Sequence, residues 1–388
     1  MAQEAMTRSR PQLQFADPAA PGAVRALVAE FGSPLLILDL ASVRRQYAAL
    51  AAALPGVTLY YALKPLPDLQ VVREIAALGG SFDLATTGEV RLVERAGVPA
   101  ARCIHTHPIK RERDIVEALD YGVTTFVADN ADEIAKFAPF RERARLLLRI
   151  SFRSPGAVSD LSRKFGCRPD DAPALLAQAR YLGVEVTGLS FHVGSQVPSP
   201  DMHVAAIHAC AELIAASRAR GLPLSVLDIG GGFAVPYRQP VTPIDAFCAP
   251  IRTALATLPA EVCVIAEPGR FIVAPAGIGV TTVMGRAERG GRMWYYLDDG
   301  VYGTFSGHIF ESMEYPIEPL DRAGPTTPSV LAGPTCDSVD VVAEDIDLPR
   351  LELGDLVIAR VVGAYTAASA TDFNFFPRAR LVHVNTTV

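Results

Sequence analysis

The sequence lacks most features that mark secreted, membrane-spanning or nucleic-acid-binding proteins. No stretch approaches the roughly 20 consecutive apolar residues of a transmembrane helix, and no apolar segment follows the arginines near the N-terminus. The formal net charge of -6 argues against a general nucleic-acid binder. We therefore expect a soluble, cytoplasmic protein that binds neither membranes nor nucleic acid.

Cysteine is scarce and scattered. The sequence has no CxxC pair, so neither a disulfide framework nor a zinc knuckle is predicted; the cysteines are Cys103, Cys167, Cys210, Cys248, Cys263 and Cys336. His105 and His107 have no acidic or cysteine partner nearby, and no metal site is predicted there. Of the 388 residues, 50% are hydrophobic and 20% are charged, which supports an extensive core and more than one domain.

Eight apolar segments of strand length recur through the first two thirds of the chain. They are residues 57–64, 81–85, 103–106, 124–128, 145–150, 185–192, 225–230 and 262–267. Amphipathic helical patterns separate them, including 69–78, 88–96, 112–121, 173–182, 202–220 and 244–258. This alternation predicts an α/β fold in which eight parallel strands close into a (β/α)8 TIM-like barrel. The chemistry of such barrels lies at the carboxyl ends of the strands.

The pattern of predicted secondary structure changes after Arg270. Short β-type runs at 294–297, 329–332, 356–362 and 380–384 are separated by Gly, Pro and Asp. We predict a β-rich C-terminal domain (a β-sandwich or β-barrel) over residues 271–388, a barrel over 35–270, and an N-terminal arm over 1–34 associated with the β domain. Whether residues 35–40 join the sheet of the β domain stays open. Ser42 is the predicted N-cap of a helix over 43–54.

A lone lysine ends the first barrel strand. Lys64 follows the apolar residues Tyr61 and Leu63. An apolar wall would lower the pKa of its ammonium and make the amine available to form an imine with an aldehyde. The alternative interpretation is a solvated lysine at a strand end. The residues at the other strand ends distinguish the two interpretations.

A triple glycine follows the seventh strand. Without Cβ atoms, Gly230, Gly231 and Gly232 allow backbone N–H groups to converge on a phosphate, although a plain tight turn would use the same residues. The loops after strands seven and eight often form the phosphate site of such barrels. Gly269 and Arg270 follow strand eight and would complete that site.

Two further strand ends suit pyridoxal phosphate (PLP). Glu267 could hold a proton on the ring nitrogen, which strengthens the electron withdrawal that decarboxylation needs. His192 could stack on the ring, with Ser195 near enough in sequence to reach the phosphate. The alternatives are a salt-bridge or capping acid for Glu267 and purely structural hydrogen bonds for His192. Together with Lys64, these residues predict a PLP enzyme.

Ordered motifs extend from residue 57 to residue 376 and fall in both predicted domains. They are Tyr61-Ala62-Leu63-Lys64, Phe82-Asp83-Leu84-Ala85, Arg163-Lys164-Phe165-Gly166, Phe191-His192-Val193-Gly194-Ser195, Asp228-Ile229-Gly230-Gly231-Gly232-Phe233, Glu267-Pro268-Gly269-Arg270, Asp299-Gly300-Val301-Tyr302-Gly303, Gly333-Pro334-Thr335-Cys336-Asp337 and Gly363-Ala364-Tyr365-Thr366. As a set they resemble the ornithine decarboxylase group of fold type III PLP-dependent decarboxylases, which share the alanine racemase fold.

The resemblance implies roles for these residues. Lys64 would bind PLP covalently, His192 would stack on its ring and Glu267 would hold its nitrogen. The residues implied around the ring substituents and the phosphate are Asp83, Arg149, Ser195, Gly230, Gly231, Gly232, Gly269, Arg270 and Tyr365. The resemblance also implies a homodimer in which Cys336 and Asp337 reach the neighbouring subunit's site, with Cys336 protonating the carbon that loses carbon dioxide. Tyr302 and Phe373 are the remaining substrate-binding candidates, Phe373 in the substrate channel.

One departure from the family pattern concerns the substrate. Ornithine decarboxylases place an aspartate for the distal ammonium where this sequence has Glu311. The charge is kept and the side chain is one methylene longer. We therefore predict a basic L-amino acid as substrate and a diamine as product, with the longer acid favouring ornithine or 2,4-diaminobutyrate over lysine. The alternative is that Glu311 faces solvent.

Other functions on the same fold remain as alternatives. Diaminopimelate decarboxylases usually carry Cys-Glu-Ser where this sequence has Cys336-Asp337-Ser338, and they recognise a distal carboxylate. A racemase would place an arginine at the ring nitrogen in place of Glu267. A non-catalytic regulator would be free to lose Lys64. Amino acids with a large appended group, as in siderophore or antibiotic pathways, also remain open as substrates.

Overall fold

The structure is a computed structural model that describes residues 13–152 and 161–387. Its strands are β1 (Leu35–Asp39), β2 (Val57–Ala62), β3 (Ser81–Leu84), β4 (Cys103–His105), β5 (Thr125–Ala128), β6 (Arg145–Ile150), β7 (Glu185–Phe191), β8 (Val226–Asp228), β9 (Cys263–Ala266), β10 (Gly277–Arg289), β11 (Arg292–Leu297), β12 (Ile317–Pro319), β13 (Thr326–Ala332), β14 (Val341–Pro349), β15 (Leu356–Arg360) and β16 (Arg380–Val384). Its helices are α1 (Pro21–Phe31), α2 (Leu40–Ala53), α3 (Leu69–Ala77), α4 (Thr87–Arg95), α5 (Glu112–Tyr121), α6 (Ala131–Lys136), α7 (Ala172–Tyr181), α8 (Asp201–Ala219), α9 (Ile244–Leu255), α10 (Arg270–Val273) and α11 (Gly307–Glu311). No helix in these two ranges is long and apolar enough to cross a bilayer.

Strands β2 to β9 form a closed parallel barrel in chain order. The ring closes where Val57 of β2 pairs with Val264 of β9. These are the eight predicted segments, so the predicted barrel is confirmed. Its interior is packed with apolar side chains from several strands, namely Ile104, Val127, Leu147 and Ile265. Because every strand runs in the same direction, their carboxyl ends meet at one rim.

Two features of the barrel helices differ from the predictions. Helix α2 begins at Leu40, and its N-cap is Asp39, whose side chain accepts a hydrogen bond from the backbone N–H of Ala41. The prediction of Ser42 as N-cap is therefore wrong: the aspartate at the end of β1 reaches the first turn before Ser42 does. The short helix α6, capped by Asn130, was not predicted because six residues are too few to show a helical period.

A second sheet forms the β-rich domain and has the strand order β12-β15-β10-β11-β13-β14. Strand β1 joins it, antiparallel to β10 and parallel to β16. Residues 35–39 therefore belong to this sheet by their hydrogen bonds, a point that the sequence had left open although the predicted domain boundary fell at residue 35. Leu36 packs into one core of this domain while Leu35 and Ile37 pack into another. A strand buried on both faces has the same apolar appearance as a barrel strand.

Strand β10 was not predicted, although it is central to the sheet. It begins with Gly277 and contains two further glycines, a composition that resembles a loop. The glycine at its start is required by packing, because a Cβ atom on Gly277 would lie 2.2 Å from the backbone nitrogen of Gly363. Because the two backbone segments approach so closely, glycine is needed here, and residue propensities therefore did not indicate a strand.

Side chains tie the end of the chain to the barrel. The buried Glu74 of α3 accepts hydrogen bonds from the backbone N–H and the hydroxyl of Thr387 and pairs with Arg44 at 2.7 Å. His383 of β16 lies 2.9 Å from Asp68, the N-cap of α3. These contacts fix the β domain against the barrel rim, where two of its residues enter the site described next.

Candidate active site

A cavity of about 280 Å³ opens at the carboxyl ends of the barrel strands. Twelve of the residues predicted from the sequence line it: Lys64, Asp83, Arg149, His192, Ser195, Gly231, Gly232, Glu267, Gly269, Arg270, Glu311 and Tyr365. Gly230 is the first residue of the same glycine turn, but it does not line the cavity itself. Tyr365 comes from the β domain, and its backbone N–H donates to the carbonyl of Pro65 at 2.9 Å, next to Lys64. The fold therefore gathers the amine, the acid and the glycine turn around one cavity.

The charge of Lys64 is set by two opposing effects. Burial acts to lower the pKa of its ammonium, while Tyr365, Asp83 and Glu267 act to raise it, and the net result is a raised pKa. The expectation that an apolar wall would favour the neutral amine is therefore wrong. Lys64 is an ammonium at neutral pH and must release a proton before its nitrogen can act as a nucleophile.

Asp83 near the end of β3 is one of the predicted carboxyl groups in the cavity wall. Burial and the Glu267 charge raise its pKa well above the ordinary value, although Lys64 and a hydrogen bond from the Thr106 hydroxyl oppose this. Sequence reasoning did not identify Thr106 as a residue of the site. Its hydroxyl fixes the orientation of the Asp83 carboxyl beside Lys64.

His192 ends β7 as a neutral ring. Burial, together with the positive charges of Lys64 and Arg149, holds its pKa well below the ordinary value. Its Nδ1 accepts a hydrogen bond from the backbone N–H of Gly194 at 3.1 Å, so the proton of the neutral ring is on Nε2. A neutral, buried imidazole suits a face against an aromatic ring better than an imidazolium would.

The glycine turn and Arg149 indicate that a phosphorylated ring fits this cavity. A Cβ atom on Gly231 would lie 2.7 Å from the carbonyl oxygen of Glu267, and one on Gly232 would lie 2.7 Å from that of Gly194, so only glycine allows this backbone path. Arg149 places a buried Nη2 atom at the cavity wall with no hydrogen-bond partner among the described residues. A cradle of backbone N–H groups and a buried cationic donor fit the phosphate and polar substituents of PLP.

All three side-chain nitrogens of Arg270 contact polar groups of the protein. Its Nε donates to the Ser195 hydroxyl at 3.1 Å, its Nη1 donates to the Tyr237 hydroxyl at 2.7 Å, and its Nη2 pairs with Glu311. Its guanidinium also lies 4.7 Å from the ring centre of Tyr365. Burial opposes its charge, but Tyr237 and Glu311 raise its pKa above the ordinary value. Nothing in the sequence had indicated Tyr237.

Glu311 lies at the end of the short helix α11 and faces the cavity. Its side chain is only 13% exposed. The alternative in which Glu311 faces solvent is therefore wrong. The ion pair with Arg270 places its carboxylate on the same side of the cavity as Ser195, which a count along the sequence could not show.

The other predicted residues form a separate cluster outside this cavity. The Tyr302 hydroxyl donates to Asp337 at 2.5 Å, and the rings of Tyr302 and Phe373 stack with centres 4.4 Å apart. The exposed Cys336 donates its thiol to the Asn374 side chain at 3.2 Å. We call these residues the surface cluster: Cys336, Asp337, Tyr302, Phe373 and Asn374. Within one copy of the chain, none of them lines the cavity with Lys64.

The two histidines of the fourth strand have different surroundings. His105 is buried and its ring packs 5.8 Å from that of Phe126, while His107 lies beyond the strand end and lines the cavity. Sequence reasoning considered both only as metal ligands and so missed His107 as a wall residue. In the described parts of the chain, no group of three or more His, Cys, Asp or Glu residues could hold a metal ion.

Comparisons with known proteins agree with this geometry. Residues 40–274 match the family described as pyridoxal-dependent decarboxylase, pyridoxal binding domain. The chain is 35% identical to the lysine/ornithine decarboxylase of Selenomonas ruminantium, over 91% of this chain and 90% of that protein.

Solved structures are also similar. A lysine/ornithine decarboxylase from Vibrio vulnificus complexed with cadaverine is 56% identical, with a TM-score of 0.91 over 94% of this chain and 98% of that one. The arginine decarboxylase of Paramecium bursaria Chlorella virus is 30% identical, with a TM-score of 0.89 over 94% of this chain and 100% of that one. The chain thus belongs to the ornithine decarboxylase family of fold type III, PLP-dependent amino-acid decarboxylases.

Proposed function

We propose that the protein removes the α-carboxyl group of a basic L-amino acid, with ornithine or a shorter homologue preferred over lysine, and releases a diamine and carbon dioxide. The observation that carries this proposal is the Glu311 carboxylate in the wall of the cavity that contains Lys64. A carboxylate there can bind a distal ammonium. The relatives are lysine/ornithine and arginine decarboxylases, which supports a basic substrate.

Different residues of the cavity are assigned to different parts of PLP. We assign the aldehyde end to Lys64, the ring face to His192 and the ring nitrogen to Glu267. The phosphate is assigned to the glycine turn Gly230–Gly232 with Gly269, Ser195 and Arg270, and the ring substituents are assigned to Asp83, Arg149 and Tyr365. When bound, PLP supplies the electron sink for the pair of electrons left by departing carbon dioxide.

Asp83, His192 and Glu267 each contribute to this chemistry. We assign proton exchange with the Lys64 ammonium to the Asp83 carboxyl, which accepts a hydrogen bond from Thr106. The neutral His192 presents a ring face without adding positive charge to the cavity. Glu267 supplies negative charge at the position assigned to the ring nitrogen, which favours decarboxylation over racemisation.

The substrate preference can be tested through Glu311. We expect purified protein to release carbon dioxide from ornithine or 2,4-diaminobutyrate with higher kcat/KM than from lysine, because the longer acid shortens the pocket. Glu311→Asp should shift the ornithine-to-lysine ratio of kcat/KM towards lysine by roughly 10-fold, since one methylene changes discrimination by about 1–3 kcal/mol. Glu311→Gln is the control for charge and should weaken all basic substrates together. Mass identification of the amine product completes the assay.

Two results would contradict different parts of this proposal. A wild-type preference for lysine or arginine would refute the argument from the length of Glu311. Failure to release carbon dioxide from any basic amino acid would refute the function itself. Diaminopimelate is included in the panel because its distal carboxylate would be repelled by Glu311.

We also propose that two copies of the chain complete each other's sites. The surface cluster carries a thiol, a carboxylate and two stacked aromatic rings, and the side chain of Phe373 is partly exposed. Exposed aromatic rings beside reactive polar groups are typical of a surface that a partner covers. In the proposed dimer, Cys336 and Asp337 enter the partner's cavity, where Cys336 returns a proton to the substrate carbon.

Co-expression of two inactive variants tests this composite site. Lys64→Ala and Cys336→Ala chains should each have little activity alone, while random pairing of the two should recover about a quarter of wild-type activity, because half of the dimers then contain one intact site. Each variant co-expressed with itself is the control. If the mixture stays as inactive as its components although the chains form mixed dimers, Cys336 acts within its own chain or not at all.

A further inference from the structure

The carbonyl groups of the glycine turn all accept hydrogen bonds from the protein. Gly230 accepts from the backbone N–H of Glu267 at 2.8 Å, Gly231 from the ring Nε2 of His203 at 3.0 Å, and Gly232 from the backbone N–H of Val197 at 3.0 Å. The middle donor is a side chain and the outer two are backbone groups. Only the middle bond can therefore be removed by a substitution.

These bonds determine where the N–H groups of the turn point. A trans peptide is planar, so its C=O and the N–H of the next residue point in opposite directions. With the Gly231 carbonyl turned towards His203, the N–H of Gly232 points to the opposite side, and both glycines line the cavity. Among the described residues, none accepts a hydrogen bond from the N–H of Gly231 or Gly232.

His203 is built into the structure as a fixed donor. It lies on helix α8, is fully buried, and stacks on Phe233 with ring centres 5.5 Å apart, while Phe247 meets its ring edge-on at 5.9 Å. Burial lowers the pKa of its imidazole to about 4, so the ring is neutral at pH 7. A carbonyl can only accept, so the single ring proton is on Nε2. Its Nδ1 is buried with no partner in the described ranges.

We propose that His203 is a positioning residue that holds the Gly231–Gly232 peptide in the orientation that directs the Gly232 N–H at the phosphate of PLP. This inference rests on the assignment of the glycine turn as the phosphate site. Without the donor, the peptide gains freedom to rotate, and the phosphate loses an aligned N–H. His203 itself does not line the cavity and contacts no reacting atom.

The test compares ligands with and without a phosphate on full-length protein freed of cofactor. The variants are His203→Leu, which removes the donor at similar volume, and His203→Gln, whose amide nitrogen can replace Nε2. We expect His203→Leu to bind PLP and inorganic phosphate about 10-fold more weakly than wild type, as expected for one unsatisfied buried carbonyl. Binding of pyridoxal, which lacks the phosphate, should stay unchanged, and His203→Gln should recover most of the lost PLP affinity. His208→Gln, an exposed position on the same helix, is the matched control.

The outcomes separate the two assignments. If wild-type protein binds pyridoxal as tightly as PLP, the glycine turn is not the phosphate site. If wild type discriminates between the two ligands but folded His203→Leu binds PLP and phosphate as wild type does, His203 has no positioning role. An equal loss for pyridoxal and PLP would also overturn the proposal, because it would show general damage. Should His203→Leu fail to fold, His203→Gln and His203→Asn decide: Asn, too short to reach the carbonyl, must bind phosphate more weakly than Gln.

Discussion

Replacement of Lys64 with alanine is expected to lower kcat by at least about 10³-fold, because the enzyme loses the amine that binds the cofactor and releases the product. Lys64 and the glycine turn are separate parts of the cavity wall, so PLP should still bind through its phosphate. The measurement is carbon dioxide release under saturating substrate, with bound PLP quantified after desalting.

Lys64→Arg is the matched control for charge, since it keeps a cation near Asp83 and Glu267 but cannot form the covalent link. We expect it to be as inactive as the alanine variant. A second measurement does not depend on activity: borohydride treatment followed by peptide mapping should add the mass of the reduced cofactor to the peptide with residue 64 in wild type alone. Labelling of another lysine would show that the nucleophile has been misassigned.

Replacement of Glu267 with glutamine is expected to lower kcat by roughly 100-fold with a much smaller change in KM. The amide keeps the size of the side chain but removes the negative charge that favours a protonated ring nitrogen. We expect this split between kcat and KM because Glu267 is assigned to the ring nitrogen, whereas a different carboxylate, that of Glu311, is assigned to the distal ammonium. Steady-state kinetics with the preferred amino acid measure both constants.

Glu267→Asp keeps the charge and is the control for geometry. It should retain more activity than the glutamine variant although it shortens the side chain. If the glutamine variant keeps kcat within about threefold of wild type, a range that mere local adjustment could produce, Glu267 has a structural role and the ring nitrogen has another partner. Loss of negative charge here should also lower the pKa of the buried Asp83, because the Glu267 charge is one of the causes that raise it.

The barrel and most of its rim could be predicted because their signals are local. Each barrel strand is a short apolar run followed by a helical pattern, and parallel strands bring their ends together without any need to know which side chains touch. Lys64, His192 and Glu267 therefore share a cavity in the structure as the sequence predicted. The predicted PLP-dependent decarboxylase family is likewise confirmed by the comparisons.

The features that the sequence missed or left open depend on distance in three dimensions. The pKa of Lys64 reflects burial together with Tyr365, Asp83 and Glu267, and the sequence does not give the distances between these groups. The pairing of Glu311 with Arg270 joins residues from different domains. The assignment of β1 to the second sheet depends on strands that begin at Gly277 and Arg380, and no local pattern can reveal their register with β1.

The position of β1 also constrains when the protein can become active during synthesis. This strand is made before the barrel, whereas its parallel neighbour β16 is the last of the described strands to be made. Until that last strand has been made, β1 keeps one unpaired edge, and Glu311 and Tyr365 have no completed sheet to hold them at the barrel rim. A nascent barrel that has already closed is therefore still without a finished catalytic pocket, which is complete only once β16 has been made and has paired with β1.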